Sequence, residues 1–307
     1  MKCIKIALFL LTFLLCNTLI AQIYEFDFNF KSISKPSIKV DCGFDYSSLK
    51  EENKTDLTNS LNSFGIVLGV ASNQDLFSIT KKIKYAFSKD TMSIEVKESL
   101  NANLTSNSFW GLGISYILDG SDTSAHNLIG LYVIGPIDLE GAGYKFANNV
   151  SLKLLTGRNI TWYAPRISKP RLDSLALVDE LANYPDIRVF GSSVRFGERY
   201  QSEISFQFMK NVSVYCGANR LVVFPRTLFW KWAGSEILYS IGDGALSYFT
   251  NKIKTSSPYA YPVVDFILKT GLYYGISELQ RSKMNFPFNT APALLIDQYR
   301  AGIQFDF

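Results

Sequence analysis

The chain has 307 residues, 47% of them hydrophobic and 14% aromatic, and its 31 basic and 27 acidic residues give a net charge of +4. This near balance excludes a polyanion-binding surface, and no basic run predicts a nucleic-acid site. A mean hydropathy of +0.07 is high for a chain whose charges are spread throughout. Such a mixture is expected where an apolar protein face meets lipid.

The chain begins with the layout of a secretory signal peptide. Two lysines among the first five residues form a basic start, an almost wholly apolar run follows, and the small residue Ala21 ends the pattern. We therefore predict a signal peptide over residues 1–21 and a mature domain over residues 22–307. No later stretch reaches the roughly 20 apolar residues that a membrane-spanning helix needs.

Alternation of apolar and polar residues, the period of a β-strand, recurs through the mature chain. The clearest runs are 24–30, 38–46, 92–97, 203–208, 212–218 and 264–274. Short polar breaks between such runs predict antiparallel hairpins, and they lie at 89–91, 197–199 and 210–211.

The alternating runs give about thirteen candidate strands by this criterion. Because a single-chain bacterial barrel has an even number of strands, we predict an all-β, antiparallel transmembrane barrel of twelve or fourteen strands. The sequence leaves Asn148-Asn149 open, either as a turn between two strands or as the middle of one long strand.

Two stretches have helical spacing instead. One, at 169–184, predicts a short helix in a loop. The other is a helical insertion near 228–253, interrupted by a glycine pair at Gly242 and Gly244. Its apolar stripe includes Ile237 and Ile241, which a charged lumen wall would match poorly. We therefore expect two helices at one end of the barrel, against the membrane boundary, and no plug.

The C-terminal run alternates apolar residues with polar ones up to the last position, through Tyr299, Ala301, Ile303, Phe305 and Phe307. This run resembles the closing strand of Gram-negative outer-membrane β-barrel proteins. The resemblance implies residence in the outer membrane, contact with its lipids, and recognition by the barrel assembly machinery through Tyr299, Ile303, Phe305 and Phe307. The alternative is an edge strand of a secreted β-sandwich, which would not need an aromatic residue at the last position.

The charged face of the predicted strands supplies candidate lumen residues of both signs. They are Glu25, Asp27, Lys39, Asp41, Lys84, Glu95, Arg195, Glu203, Arg300 and Asp306. In a narrow barrel such residues pair and fill the interior, whereas in a wide one they line water. A second candidate group, Trp230, Lys231 and Trp232, has the composition of a membrane-interface anchor, and its alternative interpretation is a recognition lid.

Three functions remain open from the sequence. The leading hypothesis is a pore or uptake channel for a small solute. The alternatives are an outer-membrane lipid hydrolase, which would use His126 and a neighbouring serine, and a non-conducting structural or surface-attachment barrel. A solvated loop explains His126 better than a catalytic set does. One histidine and two scattered mature-chain cysteines predict no metal site, and no cofactor is expected.

Overall fold

The computed structural model describes residues 34–48, 59–76, 103–119, 128–167, 190 and 193–307. Within these residues eight strands form a closed barrel in chain order. Their bounds are β1 Ser34–Ser48, β2 Asn59–Asp75, β3 Leu104–Asp119, β4 Leu128–Ala147, β5 Val150–Ile167, β6 Arg195–Met209, β7 Val212–Val223 and β8 Leu294–Asp306.

Every neighbouring pair of strands is antiparallel, and β8 closes the ring against β1. The closing register places Phe44 opposite Tyr299 and Val40 opposite Ile303. The amide of Phe307 continues this pairing with a 2.9 Å hydrogen bond to the carbonyl oxygen of Pro36. Closure leaves the ring without an unpaired edge, the arrangement that a strand needs in lipid.

The prediction of twelve or fourteen strands is wrong, because the closed ring has eight. The strands are longer than the alternating runs suggested. The break predicted at 197–199 lies inside β6, whereas the break at 210–211 is the turn between β6 and β7. Asn148-Asn149 is likewise a turn, between β4 and β5. The predicted elements at 24–30, 92–97 and 169–184, and the turn at 89–91, lie outside the described residues.

Two helices separate β7 from β8: α1 at Phe229–Ser256 and α2 at Tyr261–Ser282. We call this pair the helical hairpin. The break predicted at Gly242-Asp243-Gly244 does not occur, because α1 runs through it. A helical glycine costs only about 1 kcal/mol, which packing can offset. The strand predicted at 264–274 is also wrong, since those residues belong to α2.

The strands alternate cleanly between the two sides of the wall. In β1, Lys39 and Asp41 are buried in the lumen while Phe44 is exposed outside, and the register carries this parity around the ring. The two-residue turns after β4 and β6 lie at the same end of the barrel as the C-terminus of β8. We call this the short-turn end. The helical hairpin begins at the opposite end, after Val223.

Candidate functional site: a filled lumen and a helix-covered flank

Buried charges cross the middle of the lumen. The amine of Lys39 donates to both carboxylate oxygens of Glu203, at 2.7 and 2.9 Å, and joins β1 to β6. On β8 the Arg300 guanidinium lies 3.2 Å from Asp41, which also accepts a 3.0 Å hydrogen bond from the Tyr215 hydroxyl. We call these five residues the ionic core. In a low-dielectric interior, each charge stays buried only because an opposite charge accompanies it.

An apolar cluster fills the lumen towards the end where the helical hairpin begins. Phe190, from the connection between β5 and β6, packs among inward-facing residues of the wall. The cluster comprises Ile117, Leu131, Val133, Tyr163, Phe190, Leu221, Val223 and Ile296, all buried. Together with the ionic core, this cluster places side chains across the lumen at two levels.

The space left at the ionic core is small. A cavity of about 20 Å³ remains there, lined by residues that include Lys39, Glu203 and Arg300. That volume is on the scale of one water molecule. Eight-stranded barrels have interiors that side chains alone can fill, and the described part of this lumen is filled in that way.

The ten candidate lumen residues have different positions. Lys39, Asp41, Glu203, Arg300 and Asp306 are buried inside the barrel, and the Asp306 carboxylate accepts hydrogen bonds from Ser37 and Gln304. Arg195 lies at the end opposite the short-turn end, where its guanidinium donates a hydrogen bond to the Pro225 carbonyl oxygen at 2.7 Å. The four others lie outside the described residues: Glu25, Asp27, Lys84 and Glu95.

The outer face of the wall is apolar over β1, β2 and β3. Exposed outward side chains there include Phe44, Phe64, Ile66, Leu68, Val70, Trp110, Leu112 and Ile114. An apolar exterior around a closed interior that holds buried ion pairs is the reverse of a water-soluble sheet, and it matches a wall that lipid surrounds. The molecule has the fold of an outer-membrane β-barrel.

Comparisons with solved structures find weak similarities to three proteins. Neisserial surface protein A is 9% identical, with 89% of this chain and 99% of that chain covered and a TM-score of 0.39. Ail, the attachment invasion locus protein of Yersinia pestis, is 7% identical with the same coverage and a TM-score of 0.30. An outer membrane channel from Pseudomonas putida F1 is 12% identical over 62% of this chain and 73% of that chain, with a TM-score of 0.19. No family model and no curated protein matches the sequence. Similarities this weak carry no functional argument.

The outer face of the wall carries polar residues on β5, β6 and β7. On β6, the outward positions Glu198, Tyr200 and Ser202 interrupt the apolar series that resumes at Ile204. The Glu198 carboxylate accepts hydrogen bonds from the Tyr200 hydroxyl at 2.5 Å and from the Gln280 amide on α2 at 3.2 Å. On α1, the Trp232 indole donates to Glu198 at 3.1 Å. The helical hairpin therefore satisfies a charge that would otherwise face lipid.

Two arginines extend this polar region, which we call the polar flank. Arg158 on β5 pairs with Glu236 on α1. Arg220 on β7 pairs with Asp297 on β8 and with Glu278 on α2. Placing an unshielded arginine on the lipid side costs about 2–4 kcal/mol near the bilayer midplane. Pairing with helix carboxylates removes most of that cost.

The helical hairpin covers the polar flank along most of the wall. Near the short-turn end, the Tyr144 hydroxyl donates to the Tyr259 carbonyl oxygen at 2.6 Å. Midway, the hydroxyl oxygens of Ser202 and Thr270 lie 2.8 Å apart. Neither described helix is long and apolar enough to cross a membrane. The predicted position at one end of the barrel is therefore wrong: the helices lie against the outer wall from end to end.

The three candidate interface residues lie at the first turn of α1. Trp230 is 84% exposed, and the exposed Lys231 donates to the Asn289 carbonyl oxygen at 3.0 Å. Trp232 instead turns towards the wall and packs edge-on against Phe196, with ring centroids 5.4 Å apart. The four candidate assembly residues on and after β8 are all exposed on the outer face: Tyr299, Ile303, Phe305 and Phe307.

His126 lies outside the described residues, so the lipid-hydrolase hypothesis gains no geometry from the structure. The described part of the chain also contains no group of three metal-ligating side chains. Burial lowers the pKa of the Lys254 amine on α1, and the nearby Asp265 carboxylate partly offsets that shift.

Sequence reasoning missed the polar flank, although one signal for it was present. Glu198, Tyr200 and Ser202 share the face of Ile204 and Phe206, so the alternation itself puts polar groups on the lipid side. Because residues 197–199 were interpreted as a turn, Glu198 was not counted as part of a lipid-facing strand. A continuous strand would have required a cover for these residues.

Proposed function

We propose that the chain is a non-conducting structural barrel of the outer membrane, whose working surface is its helix-covered flank. The observation that carries this proposal is the filled lumen. Lys39 and Glu203 join opposite sides of the ring, and Phe190 packs among the lumen side chains at a second level. This arrangement supports the structural alternative against the pore hypothesis.

The energetics of opening also favour a closed barrel. A solute could pass the ionic core only if the Lys39–Glu203 contact separated, and breaking a buried ion pair costs about 3–5 kcal/mol when one charge loses its partner. Among the described residues, the space at the ionic core is a cavity of about 20 Å³, on the scale of one water molecule. Transport would therefore need a conformational change of the wall itself.

The barrel's orientation follows from its connections. Short turns of outer-membrane barrels face the periplasm and long connections face outward. Two of the three connections at the short-turn end are two-residue turns, Asn148-Asn149 and Lys210-Asn211, and the third is the longer connection between β2 and β3. On the two short turns we place this end in the periplasm. The helical hairpin then starts at the cell surface and folds back along the wall.

Planar-bilayer recording of the purified full chain tests the proposal. We expect no stepwise conductance from the wild-type barrel. A matched variant with Lys39→Ala, Glu203→Ala and Phe190→Ala removes the ion pair between β1 and β6 and the Phe190 ring from the lumen. It should conduct, which shows that the assay detects an opened barrel. Regular single-channel openings from the wild-type protein would overturn the proposal.

A further inference from the structure

A second cavity lies outside the lumen, between the barrel wall and the first half of α2. It has a volume of about 250 Å³, and we call it the lateral cavity. Outward-facing residues of β2, β3 and β4 form one side of it, and α2 forms the other. Its lining includes Ser72, Ser106, Ser108, Glu140, Asp265 and Lys269.

The lateral cavity lies towards the short-turn end of the wall. Ser106 and Ser108 are two and four residues inside the start of β3, or roughly 7–13 Å along the strand at about 3.3 Å per residue. Between the cavity and the short-turn end, Leu104, Tyr144 and Tyr261 belong to one apolar cluster. A ligand there has polar groups beside it and an apolar cluster on the side of the short-turn end.

One oxygen of a buried carboxylate in the cavity lacks a hydrogen-bond partner. Asp265 is 2% exposed, and its Oδ2 lies 3.2 Å from the Lys269 amine one turn later in α2. Its Oδ1 is buried without a hydrogen bond among the described residues. An unsatisfied buried carboxylate oxygen is costly, and it favours a ligand that brings an N–H donor.

The charges in the cavity define the class of that ligand. Glu140 and Asp265 carry two negative charges in the lining and Lys269 carries one positive charge. Lys254 on α1 lies beside them, with its amine 5.6 Å from the centroid of the lining Tyr261 ring. An ammonium group can donate to Asp265 and Glu140, while a phosphate can accept from Lys269 and the serine hydroxyls. A zwitterion offers its ammonium group to the two carboxylates and its phosphate group to Lys269.

We propose that the lateral cavity binds the head group of a phospholipid that carries a primary amine. Its acyl chains would continue along the apolar exterior that begins beside the cavity. A choline head group lacks N–H donors and leaves Asp265 Oδ1 unsatisfied, and a glycerol head group lacks the positive charge. This inference requires the barrel to lie in a membrane, but it does not depend on whether the lumen conducts.

Native mass spectrometry of the full chain tests this inference. The protein is released from vesicles of equimolar phosphatidylethanolamine, phosphatidylcholine and phosphatidylglycerol with identical acyl chains. We expect retention of phosphatidylethanolamine over phosphatidylcholine by about tenfold, since one charge-assisted hydrogen bond separates the two. Asp265→Asn should abolish that preference, and Lys269→Ala should lower retention of all three lipids.

Lys252→Ala is the matched control, because this exposed lysine lies on α1 over the Tyr248 ring and does not line the cavity. It should leave the preference unchanged. Heat-modifiable mobility on a gel reports whether each variant folds. Should Asp265→Asn not fold, Glu140→Gln decides by the same readout. Equal retention of the three lipids by the wild-type chain, or an unchanged preference in the folded variant, would overturn the inference.

Discussion

Lys39 and Glu203 show how single residues determine whether this barrel has a usable lumen. Both side chains are buried, and the Lys39 amine also lies 4.2 Å from the centroid of the Phe109 ring. The surroundings therefore offer a lone charge little solvation. Removal of one partner should cost more than removal of both, because the cost comes from the charge that is left unpaired.

At this scale we predict that Lys39→Ala lowers the free energy of unfolding by about 3–5 kcal/mol. Lys39→Met combined with Glu203→Met should recover most of that loss. Urea titration in phospholipid vesicles, followed by tryptophan fluorescence, measures both. Lys210→Ala, at the exposed turn after β6, is the control and should change stability by less than about 0.5 kcal/mol. Equal losses in the single and double variants would show that the pair is not coupled.

Alternation in the sequence places Lys39, Asp41, Glu203 and Arg300 on one face of their strands, but it does not show which charges meet. Lys39 and Glu203 are 164 residues apart, and their contact depends on how many strands lie between them around the ring. A ring of twelve strands would hold them further apart. The error in strand number thus changes the chemistry inferred for the lumen.

At the scale of elements, the helical hairpin and the polar flank require each other. Glu198 and Arg158 face outward from the wall, and Glu236 and Gln280 on the helices meet them. The opposite faces of the helices carry exposed apolar residues, including Ile237, Ile241, Phe249 and Ile267. The hairpin thus has its polar side against the protein and its apolar side outward, as expected of helices that lie between a polar wall and lipid.

A disulfide tests whether α2 is seated on β6. With Cys42 and Cys216 replaced by serine, Ser202→Cys and Thr270→Cys should cross-link under mild oxidation, because the native hydroxyl oxygens lie 2.8 Å apart. Gel mobility with and without reductant measures the bond. Ser213→Cys with Thr270→Cys is the control, since Ser213 faces the lumen, and it should stay reduced. Absence of the first cross-link in folded protein would contradict the position of α2.

The α2 segment also shows why the sequence was ambiguous. Val264, Phe266, Leu268 and Leu272 alternate as in a strand. The residues buried in the helix lie on one helical face instead: Pro262, Asp265, Ile276, Ser277 and Gln280. A helix that turns polar residues towards a protein wall has an inverted amphipathic pattern. Pro262, near the first helical position, was the local signal for a helix start.

At the scale of the whole molecule, the fold class could be predicted and its size could not. The class follows from alternation and from the terminal strand, whose exposed aromatic residues end at Phe307. Strand number depends on strand length, and β4, with 20 residues, is far longer than any alternating run read from the sequence. The signal peptide over 1–21 and the assembly role of Phe307 remain predictions.

The position of the helical hairpin in the membrane is the central claim of this account. Spin labels at Ile237 and Ile241 test it most directly, because these side chains are 64% and 65% exposed on the outer side of α1. They lie eight and twelve residues into the helix, or about 12 and 18 Å along it. A label at Asn289, in the exposed loop after α2, is the control.

In lipid vesicles we expect the labels at Ile237 and Ile241 to collide strongly with molecular oxygen and weakly with a water-soluble nickel complex, and the label at Asn289 to show the reverse. That result places the apolar face of α1 in lipid, beside a closed barrel. Protection of both helix labels from both reagents would show the hairpin packed within protein, and strong collision with the nickel complex would show it in water; either result would contradict the account.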